Sequence, residues 1–233
     1  MAAKIVEIIE ITPKIRLFRF QTEPGRFKSL PGQWIDLVVP GARPNEAPMI
    51  GGYSVLSAPS TDGAFELAIK YADHHEATLH LHTKARVGDV VYVTPGQGRF
   101  VYTPEMGRHV VLLGAGIGVT PLISILRAID RDHPDTRAHL VYSVVAPDEV
   151  LLRDEIETMG SKPNIDVTIT VTRDAEDWAG HTGRISPSLL ESLDLPRDAL
   201  FYFCGSREFI DGMSEQLLAW GVAEDHLIYE KWW

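Results

Sequence analysis

Short runs of apolar residues, many alternating with polar ones, fill the first hundred positions of the chain. They are rich in β-branched and aromatic residues, and glycine, proline, asparagine or aspartate separates most of them. Both features are typical of short strands joined by turns. The pattern predicts six strands, at residues 4–11, 15–22, 33–40, 53–59, 65–72 and 89–95. With one short helix around residues 77–85, the strands favour an antiparallel β-barrel or sandwich.

After Phe100 the rhythm changes, and apolar strands alternate with longer amphipathic segments. This alternation is typical of βαβ units and a parallel sheet. Strands are predicted at residues 109–116, 138–145, 165–172, 199–205 and 226–233, and helices at 120–132, 147–160, 186–193 and 207–221. Pro104 and Gly107 indicate a linker, so we expect two domains, residues 1–102 and 103–233.

Charge and cysteine content exclude several classes of protein. The net charge is −10, from 32 acidic and 22 basic residues, which disfavours binding to nucleic acids or anionic membranes. The single Cys204 excludes an internal disulfide, a four-cysteine zinc site and an iron–sulfur cluster. No signal or transit peptide is predicted, and glycines and a proline interrupt the longest apolar stretch, residues 110–126. We therefore expect a cytoplasmic protein.

A glycine-rich motif, GAGIGVTP at residues 114–121, follows an apolar strand and opens a helix. Glycines in this position let the backbone approach a pyrophosphate, which a helix N-terminus favours. Val119 stands where the third glycine of the dinucleotide-binding motif is usual, and no acidic residue ends the next strand. By itself the motif therefore leaves open a tight turn without a ligand.

Several segments, in this order, resemble the ferredoxin–NADP⁺ reductase superfamily across essentially the whole chain. They are LPGQWIDLVVP at 30–40, GGYSVLSAP at 51–59, TLHLHTKARVGDVVYV at 78–93, PGQGRF at 95–100, the glycine motif, CGS at 204–206 and YEKWW at 229–233. Within the superfamily, the GGYS variant and the EKWW ending resemble the oxidoreductase NAD-binding-domain proteins. The resemblance implies a flavin-binding β-barrel followed by an α/β domain that binds a nicotinamide dinucleotide.

The resemblance also implies roles for individual residues. Tyr53 would pack on the flavin, Ser54 would hydrogen-bond near its N5 atom, and Thr78 would face its phosphate. Ser57 completes the flavin strand motif, and Trp233 would stack over the flavin ring. For the nicotinamide coenzyme the implied binding residues are Gly114, Gly116, Thr120, Pro121, Arg173 and Gly205, with Cys204 beside the nicotinamide and Glu230 close to the reacting centre. Ser54, Cys204 and Glu230 are thus the candidate catalytic residues.

One position departs from the superfamily pattern. The arginine that neutralises the flavin phosphate is replaced by Gly51, and its loss is worth about 1.5–3 kcal/mol, or roughly ten- to a hundredfold in affinity. Lys70 or Arg43 are candidate substitutes.

Four histidines lie close together in the sequence, at positions 74, 75, 80 and 82. His80 and His82 are two apart, and such positions on a helix point away from each other. We therefore predict no metal site.

The resemblance implies an enzyme that passes hydride from NAD(P)H to FAD, with FMN as an alternative flavin, and electrons to a separate acceptor protein or small oxidant. Asp148 and Glu149 follow the second parallel strand and would repel a 2′-phosphate, which favours NADH, although Arg173 keeps some basic character nearby. Two alternatives remain open: a flavin-free dinucleotide-binding or electron-transfer adaptor subunit, and a flavin reductase that uses free flavin as substrate.

Overall fold

The fold is taken from a computed structural model, which describes residues 1–41 and 46–231. Met1–Val101 form one compact unit, and the chain from Tyr102 onward forms a second.

The first unit is a six-stranded antiparallel sheet whose two ends are joined. Its elements are β1 (Ala2–Thr12), β2 (Ile15–Gln21), β3 (Trp34–Val39), β4 (Met49–Ser54), β5 (Ala64–Lys70), α1 (Glu76–Thr83) and β6 (Val90–Val93). The strand order is β4-β3-β6-β1-β2-β5. Beyond β4 the Leu56 N–H donates to the Glu66 carbonyl at 2.9 Å. This bond connects the two terminal strands, so the predicted antiparallel barrel is confirmed.

Alternation along the strands builds the core of this barrel. In β3 the buried positions are Ile35, Leu37 and Val39, every second residue, which is the two-residue period of a strand with one face inward. Aromatic rings fill the interior: the Phe65 ring stacks on those of Phe20 and Phe27, with centroids 4.9 and 4.1 Å apart. Offset ring stacking adds stability to the buried area.

The second unit is a six-stranded parallel sheet with helical connections. Its elements are β7 (His109–Ala115), α2 (Thr120–Asp132), β8 (Arg137–Val144), α3 (Arg153–Met159), β9 (Ile165–Val171), β10 (His181–Thr182), α4 (Pro187–Ser192), β11 (Leu200–Cys204), α5 (Arg207–Trp220) and β12 (Leu227–Ile228). The order is β10-β9-β8-β7-β11-β12, and every pairing is parallel. The predicted α/β architecture is therefore confirmed.

The order of the strands reverses direction at β7. From β7 the chain proceeds outward through β8 and β9 on one side, and returns to β11 on the other. In open α/β sheets ligands bind outside the carboxyl ends of the strands at such a switch point. The carboxyl ends of β7 and β11 are consequently the place to look for a coenzyme site.

Three predicted elements are wrong in extent. The fourth strand runs from Met49 to Ser54 rather than over residues 53–59, because the chain after Ser54 turns to bond with β5. The helix predicted at 147–160 is broken into a 3₁₀ turn, Pro147–Glu149, and α3. Between them the backbone is left-handed at Leu152 (φ 51°). The strand predicted at 226–233 covers only Leu227–Ile228 within the described residues.

Across residues 1–41 and 46–231, no helix combines the length and apolar character that crossing a membrane requires.

Candidate functional site

In the first unit, Tyr53 and Thr78 are brought together by β4 and α1. The Tyr53 Oη and the Thr78 Oγ1 are 2.9 Å apart, a hydrogen bond between residues 25 positions apart in the chain. Thr78 lies in the first turn of α1 and is 5% exposed. Burial raises the pKa of the Tyr53 phenol above its usual value, so the phenol stays protonated and can donate.

Gly51 leaves the room that the Tyr53 ring occupies. The two residues are two positions apart on β4, so they share one face of the strand. A Cβ on residue 51 would lie 2.5 Å from the Tyr53 Oη and 2.7 Å from its Cζ. The phenol therefore stands where a side chain of residue 51 would begin.

Ser54 and Ser57 lie on either side of the point where β4 leaves β3. Ser54 is the last residue of β4 and lies opposite Trp34. The Ser57 Oγ accepts a hydrogen bond from the Glu66 N–H at 3.1 Å and so helps to join β4 to β5. Ser57 therefore has a structural contact, while its role in flavin binding stays a prediction.

In the second unit, the glycine motif forms the turn between β7 and α2. Gly114 lies near the end of β7, and the residues Gly116–Val119 form a 3₁₀ turn that leads into α2. Gly116 has φ +53°, a conformation that favours glycine, and a Cβ there would meet no atom within 4 Å. At the start of α2 the Thr120 hydroxyl donates to the Ile117 carbonyl at 3.0 Å. Pro121 occupies the first turn, where no backbone donor is needed.

Gly118 is a site residue that the sequence analysis missed. A Cβ there would lie 2.5 Å from the Cys204 carbonyl oxygen and 2.6 Å from the Gly205 Cα, both backbone atoms. Only glycine lets the turn approach the end of β11 this closely. The signal in the sequence is the third glycine of GAGIG. It falls on position 118, whereas the usual dinucleotide-binding motif has its third glycine one residue later.

Strand register brings Cys204 beside Gly114. The two residues are partners in the parallel pairing of β7 and β11. On the other side of β11, Tyr202 pairs with Ile228. Glu230 lies two residues beyond the end of β12, and the rings of Phe203 and Tyr229 are in contact, 4.8 Å between centroids. Cys204 itself is buried, 8% exposed.

Comparison with known proteins matches both units to families. Residues 2–102 match the oxidoreductase FAD-binding domain, and residues 112–215 match the oxidoreductase NAD-binding domain. The chain is 31% identical to the oxidoreductase NAD-binding domain-containing protein 1 of Danio rerio, covering all of this chain and 92% of that protein. The chain belongs to the oxidoreductase NAD-binding domain-containing proteins, and it shares its fold with ferredoxin reductases of known structure.

The chain is also similar to a second curated protein and to a solved structure. The chain is 28% identical to NADH-cytochrome b5 reductase 1 of Aspergillus fumigatus, over 90% of this chain and 71% of that protein. Among solved structures, the FAD/NAD-binding domain of a Vibrio cholerae nitric oxide dioxygenase superposes with a TM-score of 0.87. That match has 24% sequence identity and covers 98% of this chain and 97% of the other. The FAD-binding and NAD-binding domain families indicate FAD and NAD(P)H as the cofactors.

The residues that would hold these cofactors fit them. In the second unit, the open space at the Cβ position of Gly116 lets a pyrophosphate reach the backbone of the turn, at the N-terminus of α2. In the first unit, the Tyr53 and Thr78 hydroxyls lie at the first turn of α1, where they can hydrogen-bond to a polar group of the flavin.

Of the remaining predicted residues, Arg173 and Lys70 lie within the described residues. Arg173 follows β9 and is exposed, and its N–H donates to the Val145 carbonyl at 2.8 Å. Its backbone thus joins the carboxyl ends of β9 and β8, while its coenzyme role stays a prediction. Lys70 is the last residue of β5. Trp233 and Arg43 lie outside the described residues.

The histidines of the first unit have separate environments. The His82 ring is 8% exposed and its Nε2 lies 2.9 Å from the Ile69 carbonyl oxygen, so this histidine belongs to the core. His74 and His75 are exposed. Within the part of the chain that the structure describes, no three metal-ligating side chains converge.

Proposed function

We propose that the chain is an NADH-dependent reductase that passes electrons from the reduced nicotinamide through FAD to a separate acceptor. The observation that carries this proposal is the pairing of Gly114 with Cys204 at the carboxyl ends of β7 and β11. These two strands form the switch point of the sheet, where dinucleotides bind in related architectures.

The chain's own residues serve to bind and orient the cofactors. Flavin, when bound, supplies the redox chemistry. The Ser54 hydroxyl would donate a hydrogen bond to the reacting edge of the ring system. Cys204, small and buried, would form one wall of the nicotinamide pocket, and Glu230 would lie beside it.

The choice of NADH is supported by charge at the end of β8. Asp148 and Glu149 lie in the 3₁₀ turn that follows this strand. Their carboxylates would repel the 2′-phosphate that distinguishes NADPH from NADH. One relative in the comparison, the Aspergillus fumigatus protein, is named an NADH-dependent enzyme.

For the acceptor, we propose a small electron-transfer protein. The support is the name of that same relative, a cytochrome b5 reductase. A small oxidant would serve equally well to reveal the activity in a purified preparation.

The test is steady-state turnover of the purified protein with FAD, NADH or NADPH, and ferricyanide as an artificial acceptor. We expect NADH to give the larger kcat/KM. Ser54→Ala should lower kcat by about tenfold, the value of one lost hydrogen bond, with a smaller change in KM. The matched control is Ser192→Ala, an exposed residue at the end of α4, which should leave both constants unchanged.

Absence of turnover together with absence of FAD binding would contradict the proposal. It would leave the adaptor subunit as the better interpretation of Gly51.

A further inference from the structure

We infer that the flavin site of this chain recognises the ring and ribityl part of flavin and not its phosphate, so that riboflavin and FMN bind with similar affinity. The inference rests on the proposed function in assigning flavin to the first unit. It concerns the class of flavin that this site accepts.

The geometry at the phosphate end of the site comes from three residues. The Tyr53 ring lies over Gly51, and its hydroxyl is 2.9 Å from that of Thr78. A Cβ on residue 51 would lie 2.5–2.8 Å from three atoms of the phenol. At this position β4 therefore presents the Tyr53 hydroxyl, and residue 51 contributes no side chain that could reach a ligand.

The side chains of this arrangement offer few donors to a phosphate. A hydroxyl has one proton to donate, and one of the two protons in the pair is used in the bond between Tyr53 and Thr78. One O–H therefore remains for a ligand oxygen. A guanidinium would bring five donors and a positive charge to the same place.

The charges around the start of α1 would also stabilise a bound phosphate little. Glu76 is exposed in the first turn of this helix, where its carboxylate already interacts with the helix dipole. A phosphate dianion bound at the same turn would be repelled by it. The exposed His74 and His75 precede Glu76.

Neutral hydroxyl groups suit the sugar-like ribityl chain as well as a phosphate oxygen. A charge-assisted contact with phosphate would separate FMN from riboflavin by about ten- to a hundredfold. A single neutral donor, which a terminal ribityl hydroxyl can also use, should separate the two flavins by about threefold or less.

The experiment measures dissociation constants for riboflavin, FMN and FAD by quenching of flavin fluorescence with the full chain, at about pH 8. Titrations are repeated between about 0.02 M and about 0.5 M salt, since a contact between a cation and phosphate weakens as salt rises. We expect riboflavin and FMN to bind within about threefold of each other at every salt concentration.

FMN binding tenfold or more tightly than riboflavin, with the difference shrinking at high salt, would overturn the inference. Such a result would indicate a cation, such as Lys70, at the phosphate. Failure of riboflavin, FMN and FAD to bind at all would overturn the proposed function as well, so the two failures are distinguishable.

Substitution of Gly51 provides a second, independent measurement. Gly51→Arg must displace the Tyr53 ring, but it supplies the charge, so FMN should become favoured over riboflavin by tenfold or more in a salt-dependent manner. Gly51→Ala introduces the same Cβ without the charge and should weaken both flavins equally. An FMN-to-riboflavin ratio that is the same in Gly51→Arg as in the wild type would contradict the inference. If Gly51→Arg does not fold, the wild-type ratio still decides the question.

Discussion

Replacing Gly118 by alanine should disturb the coenzyme site through one added methyl group. The new Cβ would lie 2.5 Å from the Cys204 carbonyl oxygen and 2.6 Å from both the Cys204 carbonyl carbon and the Gly205 Cα. Ordinary contacts between such atoms are about 3.5–4.0 Å. Because all three atoms belong to the backbone, no side chain can rotate to relieve the overlap.

The expected loss of stability follows from how far the backbone must move to relieve the overlap. The turn or the end of β11 has to move by about 1 Å, and overpacking of this kind costs about 1–3 kcal/mol in the free energy of unfolding. A shift of about 1 Å at a reacting centre can also reduce turnover by about a hundredfold. We therefore expect both a destabilised second unit and a large loss of activity with NADH.

The assay is urea unfolding followed by tryptophan fluorescence and circular dichroism, together with steady-state kinetics. Gly212→Ala is the matched control, because Gly212 lies within α5. The atom nearest to a Cβ added there is the Gln216 Nε2, at 3.8 Å, which is an ordinary contact distance. Alanine there should raise the free energy of unfolding by about 0.5–1 kcal/mol, since glycine is a poor helix former. Wild-type stability and wild-type turnover in Gly118→Ala would refute the close approach of the turn to β11.

Two further predictions concern coenzyme choice and pH. Changing Asp148 and Glu149 together to serine should raise kcat/KM for NADPH about tenfold relative to NADH, because two like charges are removed from the 2′-phosphate. An unchanged ratio would refute their role in selection. Burial lowers the pKa of His82 below its usual value, so the unfolded chain takes up this proton first as pH falls. The free energy of unfolding of the first unit should therefore decrease below about pH 6.5, and less steeply in His82→Gln. Urea unfolding between about pH 7.5 and pH 5.5 measures the two slopes, and equal slopes would contradict this account.

Local sequence signals predicted the regular elements of the second unit well. The helix predicted at 120–132 is confirmed as Thr120–Asp132, because an apolar face, an early proline and a preceding glycine turn all favour the same helix. The helix predicted at 147–160 is wrong in its first half. Val150 and Leu151 are buried at 6% and 0% exposure, and the chain leaves helical geometry at Leu152. Packing overrides the helical pattern at this point.

Contacts between residues far apart in the chain could not be predicted from the sequence. The motif GGYS indicated Tyr53, and the short helix indicated Thr78, but no local signal predicts that their hydroxyls meet. Gly51 was recognised as a missing arginine, whereas its effect on the Tyr53 ring emerges only from the fold. Gly118 was missed for the same reason, since its constraint comes from the end of β11, more than eighty positions away.

The most direct test of the proposed function is an anaerobic titration of the FAD-loaded protein with NADH, followed by the visible absorption of the flavin. The account predicts that one equivalent of NADH per bound flavin bleaches this absorption, and that readmitting an oxidant restores it. Bound flavin that stays oxidised in the presence of excess NADH and of excess NADPH would contradict the account.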